Sequence, residues 1–247
     1  MRFASAPGKI LGILRNGMDL GWCPVCERRT LFLRTGPWDR DDCKCARCRS
    51  IPRFRAMAAV LESELSGWKS LEIHESSPEG AFSDKLRSQA RRYSSSQFLP
   101  GHPRGAVVDG VRNEDLRALT FSDSCLDLLV TQDVLEHVPD PDSAFREIAR
   151  VLRPGGLHIF TVPVYAKPTR ERARQLPDGS IELLDNPEYH GNPVDPNGSL
   201  VITEWGPDLL DRIRSTSGLE TERLDFHDPK RGLRGEFLSV FVSKKHA

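Results

Sequence analysis

Cys125-Leu126-Asp127-Leu128-Leu129-Val130-Thr131-Gln132-Asp133-Val134-Leu135-Glu136-His137-Val138-Pro139-Asp140 decides how this chain is read. Leu126–Thr131 is a near-continuous apolar run, the pattern of a strand buried on both faces in a parallel sheet. Asp133, Glu136 and His137 follow it at once. If the backbone turns helical there, positions i, i+3 and i+4 share a face. Two carboxylates and an imidazole on one face suit a Mg²⁺ ion, a general base, or the plainer task of orienting the loop. The residue types leave all three open.

Outward from this stretch, strands and helices alternate. Asp142–Leu152 carries Phe145, Ile148, Ala149 and Leu152 at helical spacing, and Pro154-Gly155-Gly156 is expected to stop that helix. Leu157–Val162 reads as the next apolar strand, and His158 within it reads as structural. Upstream, Ser70–His74, Tyr93–Phe98 and Ala106–Val111 read as strands, with a helix over 78–90 carrying Phe82 and Leu86. Downstream, a helix over 207–217 and two strands, Leu219–Phe226 and Phe237–Ser243, complete the series. Residues 163–200 interrupt it with six prolines, Pro193 among them, and no periodicity. A long aperiodic stretch of this kind is commonly functional or disordered. The βαβ series predicts an α/β fold, an open and mostly parallel sheet with helices on both faces. Ligands then sit at the carboxyl ends of the strands, which places the loops at 74–80, 97–101, 112–116 and 131–137 around the site.

Five of the six cysteines fall within 26 residues: Cys23, Cys26, Cys43, Cys45 and Cys48. Cys23-Pro-Val-Cys26 and Cys45-Ala-Arg-Cys48 are separated by 18 residues, within the ~15–20 expected of a four-thiolate zinc site. Each CxxC offers two sulfurs to one ion, and two such knuckles close a tetrahedron. Cys43 competes with Cys45, but only Cys45 forms a CxxC with Cys48. Cys23, Cys26, Cys45 and Cys48 are therefore the expected ligands of a structural Zn²⁺. A helix over 52–65 follows, with Phe54, Met57, Ala58, Leu61 and Leu65 on one face. The expected organisation is a zinc-binding head with its connecting helix over 1–67 and a second domain over 68–247.

The 247 residues include 38% hydrophobic and 28% charged side chains, which excludes collagen, a coiled coil and wholesale disorder. No window approaches the roughly 18 consecutive apolar residues of a membrane span. Met1–Ser5 lacks a secretory pattern, so a cytoplasmic protein without a membrane partner is expected. The formal charge is zero, yet residues 1–60 hold 12 Lys and Arg against 5 Asp and Glu. A basic head of this kind serves either an anionic partner or the thiolates themselves. The four tryptophans show no stacking pattern, so a single-strand nucleic-acid platform is not indicated.

Asp115-Leu116, the block Leu119–Asp140, and Val151-Leu152-Arg153-Pro154-Gly155-Gly156 together closely resemble class I S-adenosylmethionine-dependent methyltransferases of the type-11 kind. The resemblance covers about residues 68–245. Cys48-Arg49-Ser50 with Arg53 and Arg55 is similar to a bacterial subgroup of these enzymes that carries a small zinc-binding head. The resemblance implies a doubly wound, mostly parallel, seven-stranded Rossmann-like sheet with S-adenosyl-L-methionine as cofactor. It implies that Glu72 lies near the donor's amino-acid end and that Gln97 meets the ribose hydroxyls. It also implies that Asp115, beside Leu116, accepts from the adenine amino group. His74, Ser76 and Pro78 stand where the family carries glycines, which alters the backbone approach to the donor. Gln132 and Asp133 are expected to face the donor or acceptor, with Asp133 and His137 as the catalytic pair. The 163–200 segment is placed to cover the acceptor, a small or glycan-like molecule, with O-methylation slightly favoured. Lys167, Arg170, Arg172 and Arg174 within it suit either an anionic acceptor or a solvated face. Two other readings stand beside this one: an RNA methyltransferase whose basic head grips phosphates, and a binding module that has lost catalysis.

Overall fold

The computed structural model describes residues 16–192 and 195–246. The N-terminal reading at Met1–Ser5, the basic Arg2, Lys9 and Arg15, and Pro193 lie outside the described residues. The chain divides into two compact units. The first comprises the described residues up to Ser70 together with Glu79–Ala90 and Leu224–Val240; the second comprises the rest.

In the first unit, β1 (Met18–Cys23), β2 (Arg28–Arg34) and β3 (Cys43–Cys45) form an antiparallel sheet, with Cys23 opposite Arg28 and Phe32 opposite Cys45. A short turn of helix, α1 (Asp39–Asp42), links β2 to β3. Helix α2 (Pro52–Glu64) starts with proline at its first turn, where a missing N–H costs nothing. Met57, Ala58 and Leu61 on it are fully buried. Helix α3 (Gly80–Gln89) buries Phe82 and Leu86. Arg55, also fully buried, ties these pieces together. Its guanidinium donates to the carbonyls of Cys43 at 2.9 Å and Gly232 at 2.7 Å, and also to the Ser50 carbonyl, and it lies over the Phe32 ring. A buried charge is tolerated only when its donors are met in this way. Lys85, equally enclosed, pairs with Glu62 at 3.0 Å and with Glu27.

The second unit is built on an eight-stranded sheet of β4 (Glu72–Ser76), β5 (Arg92–Gln97), β6 (Val107–Val108), β7 (Val111–Asn113), β8 (Leu126–Gln132), β9 (Leu152–Thr161), β10 (Glu220–Leu224) and β11 (Val240–Lys244). The spatial order is β10-β11-β9-β8-β4-β5-β7-β6. Strand β4 pairs in parallel with both β5 and β8, so the chain changes direction across the sheet there. β8 and β9 are also parallel, while β11 runs antiparallel to β9. This is the doubly wound, Rossmann-like arrangement expected from the alternation. Helix α4 (Pro141–Val151) begins at Asp140, whose carboxylate accepts from the Ser143 amide at 3.1 Å. Helix α5 (Leu209–Ser217) ends at Gly218 in the left-handed region, the usual helix stop. Leu126, Leu129, Phe145, Ile148, Phe160, Trp205 and Phe241 make the centre of the core.

Three expectations change. The sheet has eight strands rather than seven, because Ala106–Val111 is not one strand. Asp109 and Gly110 both take positive φ (49° and 81°), folding Val107–Val108 back on Val111–Asn113. That is the two-residue turn whose twist suits a hairpin. Pro154-Gly155-Gly156 does not separate α4 from the next strand. β9 already starts at Leu152, and the extra residues bulge out between the Leu126–Leu152 and Leu128–Leu157 pairs. The bulge is held where Gly155 donates to the Lys245 carbonyl at 2.8 Å. Finally, the described residues of 163–200 form short antiparallel ladders. Arg170–Glu171 pairs with Thr203–Glu204, Ala173–Gln175 with Ile181–Leu183, and Tyr189–His190 with Ser199–Leu200. No helix among the described residues is long and apolar enough to cross a membrane.

Leu129 is fully buried in the strand that carries the sheet's centre. Leu129→Ala is expected to lower stability by about 2–5 kcal/mol, read as a fall in the denaturation midpoint.

Candidate functional site

The parallel pairings bring the carboxyl ends of five strands level. Ser76 is opposite Ser96 and Thr131, Gln97 is opposite Asn113, and Gln132 is opposite Thr161. The chain leaves two of these ends through left-handed, non-glycine residues: Ser77 (φ 57°) after β4 and Asp133 (φ 49°) after β8. Such backbone costs free energy and persists only where its surroundings hold it. Here the Ser77 amide donates to the Ser96 carbonyl at 2.8 Å, and the Asp133 amide donates to the Thr161 carbonyl at 2.9 Å. Thr161 Oγ1 donates in turn to Asp133 Oδ1 at 2.8 Å.

Gln132 and Asp133 meet at this edge, with Gln97 at the end of β5. Glu75, which sequence reading did not single out, sits among them. It is fully buried, and its carboxylate accepts from Tyr93 Oη at 2.6 Å and Gln132 Nε2 at 2.8 Å. Its only sequence signal was a carboxylate embedded in a strand end. Glu72 stands elsewhere, as the first residue of β4, with its carboxylate 3.5 Å from Arg92. Strand β4 runs on through His74-Glu75-Ser76. His74 is buried, and its two ring nitrogens meet Ser94 Oγ at 2.9 Å and Ser96 Oγ at 3.0 Å. Its ring packs on Phe121 at 4.5 Å, so the imidazole lies against the sheet rather than loose at the strand end. Leu116 is buried in the core cluster. Asp115 is held by Arg117, whose Nη2 donates at 2.7 Å and whose amide donates at 2.9 Å. Burial raises the Asp115 pKa, but these bonds and the guanidinium charge bring it below the ordinary value.

Glu136 and His137 lie in a single turn after β8, and His190 comes from the ladder at 189–190. Their ligand-type atoms all lie within 4.8 Å of one another. His137 Nδ1 donates to the Leu200 carbonyl at 2.8 Å, and its Nε2 faces Glu136 Oε1 at 3.8 Å. The Glu136 carboxylate raises the His190 pKa above the ordinary imidazole value, against the lowering effect of burial. The sequence pattern groups Asp133 with Glu136 and His137, and nothing in it joins His190 to that group. The arginines of that segment are paired internally: Arg170 meets Asp185 at 2.9 Å, Arg172 meets Glu188 at 3.4 Å, Glu204 bonds both, and Arg174 meets Glu182 at 2.6 Å.

In the first unit, Cys23, Cys26, Cys45 and Cys48 converge, with Cys23 Sγ 3.7 Å from Cys48 Sγ and Cys26 Sγ 4.0 Å from Cys45 Sγ. Tetrahedral Zn–S bonds of about 2.3 Å set neighbouring sulfurs about 3.8 Å apart, so the donor set fits zinc. The two knuckles are alike. Glu27 and Arg49, one residue past each CxxC, take φ of 54° and 60°, and their amides donate to the carbonyls of Cys23 and Cys45. Burial and the neighbouring thiols push Cys26 up to about 11, a state a bound cation reverses. Cys43 is outside the cluster, with its sulfur 3.6 Å from Arg55 Nη2.

With this geometry in hand, the chain can be set beside known proteins. Residues 82–160 match the family model of a methyltransferase domain. An uncharacterized methyltransferase of Mycobacterium avium (strain 104) is 34% identical over 127 residues, which is 48% of this chain and 50% of that protein. The chain thus spans about half the length of that curated relative. Among solved structures, a Burkholderia thailandensis 1,6-didemethyltoxoflavin-N1-methyltransferase with its substrate and S-adenosylhomocysteine bound superposes with a TM-score of 0.51. The match covers 79% of each chain at 16% identity. A Mesorhizobium loti S-adenosylmethionine-dependent methyltransferase gives a TM-score of 0.50 at 18% identity, covering 77% of this chain and 98% of that one. At these identities the structural matches establish a shared fold.

Burial holds the pKa of His74 at about 4 and that of His158 at about 3, below the ordinary imidazole value of 6.5. As pH falls from about 6.5 to about 4, the unfolded chain therefore takes up protons that the folded chain refuses. Stability is expected to drop over that window by up to about 1.4 kcal/mol per pH unit for each ring. Denaturation midpoints across the window check this, and His158→Gln is expected to flatten the slope.

Proposed function

We propose that this chain is an S-adenosylmethionine-dependent methyltransferase acting on a small or glycan-like acceptor. Its body is the region from about residue 68 onward, and its N-terminal segment is held by a structural zinc ion. The observation that carries the reading is the level row of Gln97, Gln132 and Asp133 at the strand ends beside β4, within the segment that matches a methyltransferase domain. Ligands of doubly wound sheets bind where strand order reverses. The bound 1,6-didemethyltoxoflavin of the Burkholderia thailandensis neighbour supports a small-molecule acceptor.

The residues present fit the donor. His74 is drawn onto Ser94, Ser96 and Phe121, which leaves the strand-end space free of its ring. Gln97 and Gln132 offer amide groups to ribose hydroxyls and the amino-acid end, and Asp115 offers an acceptor for an adenine amino group. Glu75 adds a buried carboxyl group that suits a sulfonium cation. The donor, when bound, supplies a methyl group already activated by its positive sulfur.

The protein's part is alignment and proton handling. Asp133 is held in its left-handed turn by Thr161, so its carboxylate has a fixed direction as a proton acceptor for an acceptor hydroxyl. His137, the second residue of the proposed pair, is held through Nδ1 by the Leu200 carbonyl, which fixes its ring with Nε2 toward Glu136. The ladders of 163–200 supply a folded cover for the acceptor, and its self-paired arginines favour an uncharged, hydroxylated ligand over an anion. Cys23, Cys26, Cys45 and Cys48 would hold zinc with no open coordination position, so that ion has a structural role.

Titration calorimetry with S-adenosylhomocysteine is expected to give micromolar binding, weakened by about 1–3 kcal/mol in Asp115→Ala. Silence at millimolar ligand refutes the enzymatic reading. Metal analysis is expected to find a thiolate-bound zinc in the chain, lost in Cys45→Ser and kept in Cys43→Ser; the reverse pattern reassigns the ligand.

A further inference from the structure

Glu136 is the most exacting residue of the second unit. Its side chain is 2% exposed, and neither carboxylate oxygen has a hydrogen-bond partner. Removing a carboxylate from water without donors is expensive, so such a group implies a compensating positive charge. Two imidazoles face it, His137 Nε2 at 3.8 Å and His190 Nδ1 at 3.6 Å, both to Oε1 and both beyond hydrogen-bond reach. The rings stand edge to face with centroids 5.1 Å apart.

The tautomer of His137 is fixed by its other nitrogen. Nδ1 donates to the Leu200 carbonyl at 2.8 Å, so the neutral ring carries its lone pair on Nε2, the atom turned to Glu136. A backbone carbonyl that orients an imidazole in this way is the usual outer support of a metal-bound histidine. Further, the Ile202 amide donates to the Glu136 carbonyl at 2.8 Å, so the 189–202 segment grips the turn that bears Glu136 and His137. The same segment supplies His190. Two donor atoms on one ion, each about 2.1 Å from it, stand about 3.0–3.5 Å apart. The observed 3.6 and 3.8 Å separations to Glu136 need only a few tenths of an ångström of closure, and the two imidazoles, whose ligand atoms lie within 4.8 Å, close by a small ring movement. Exposure rises from Glu136 through His137 at 15% to His190 at 31%, which leaves the His190 side open to solvent.

We propose that Glu136, His137 and His190 bind one divalent first-row transition-metal ion, with coordination positions left for ligand on the His190 side. Two imidazoles and a carboxylate select borderline ions such as Zn²⁺ or Co²⁺ over Mg²⁺. Asp133, held by Thr161, is not part of the set. The ion-binding claim stands by itself. Its use, to hold an acceptor oxygen and lower the pKa of its hydroxyl, rests on the methyl-transfer reading.

The test titrates Co²⁺ into the full chain already loaded with one zinc, followed by visible absorption. A second ion is expected, with weak d–d bands and no thiolate charge-transfer band, since its ligands are nitrogen and oxygen. His190→Ala and Glu136→Gln are expected to weaken it tenfold or more, and Mg²⁺ is not expected to compete. His190 lies on a partly exposed ladder, so His190→Ala should keep the parent melting temperature and the parent affinity for S-adenosylhomocysteine. No second ion at millimolar Co²⁺ overturns the proposal. So does cobalt seen only by thiolate charge transfer, or affinity unchanged in both variants. Donor calorimetry on the same preparations separates this outcome from failure of the methyl-transfer reading.

Discussion

The parallel pairing of β4 with β5 on one side and β8 on the other is the constraint on which the candidate site depends. Because parallel strands start and end in step, three successive crossovers deliver their loops to one edge of the sheet. Gln97 is far in sequence from Gln132 and Asp133, and only this register brings their strand ends level. The apolar content of β8 enforces it: Leu128, Leu129 and Val130 are fully buried, which a strand open to water on one face could not sustain. A one-residue slip of β8 would turn Leu129 to the opposite face and carry Gln132 with it.

The strand end lacking glycines shows how a fold accommodates a change at its most constrained point. Glycine would let the backbone turn early and come close to a ligand. With His74, Glu75 and Ser76 instead, β4 stays extended for its full length, and the turn falls on Ser77 in the left-handed region. The strain is offset by the amide bond to Ser96, and the added side chains are paired rather than left loose. His74 meets two serines of β5, and Glu75 meets Tyr93 and Gln132. Serine at both 94 and 96 is what makes a buried, neutral histidine tolerable on a central strand. The serines at 94 and 96 of β5 are thereby explained.

Most of the architecture was legible because it rests on local patterns. The run at Leu126–Thr131, the helical spacing of Phe145 and Ile148, and the paired CxxC knuckles each state their structure within a dozen residues or a fixed interval. What escaped reading was non-local or turned on a single dipeptide. Asp109-Gly110 between two pairs of hydrogen-bonded residues is a recognisable hairpin signal, and reading 106–111 as one apolar run hid it. Glu75 could not be told from its neighbours until Tyr93 and Gln132 were seen against it. His190 lies more than fifty residues from Glu136, in a segment whose ladders have no apolar period to announce them. Short two-residue pairings draw their order from ion pairs and backbone bonds, neither of which leaves a repeating trace in sequence.

The two clusters of ligating side chains differ in the same respect, and the difference bears on what each can do. The four cysteines are brought together by short-range geometry, two knuckles with matching left-handed exits on one small sheet, so the cluster forms wherever that sheet forms. A closed thiolate set of this kind can stabilise but has no vacant position for chemistry. Glu136, His137 and His190 converge only when the 163–200 segment has folded against the turn after β8, through the bonds from Ile202 and to Leu200. That cluster is therefore coupled to the pairing of these ladders. Anything that orders the ladders completes the triad, and anything that binds the triad orders the ladders, because each contributes the same folded arrangement to the other's free energy. A buried carboxylate kept without hydrogen-bond donors is the energetic cost of that coupling, and it makes sense only where a positive charge is meant to arrive.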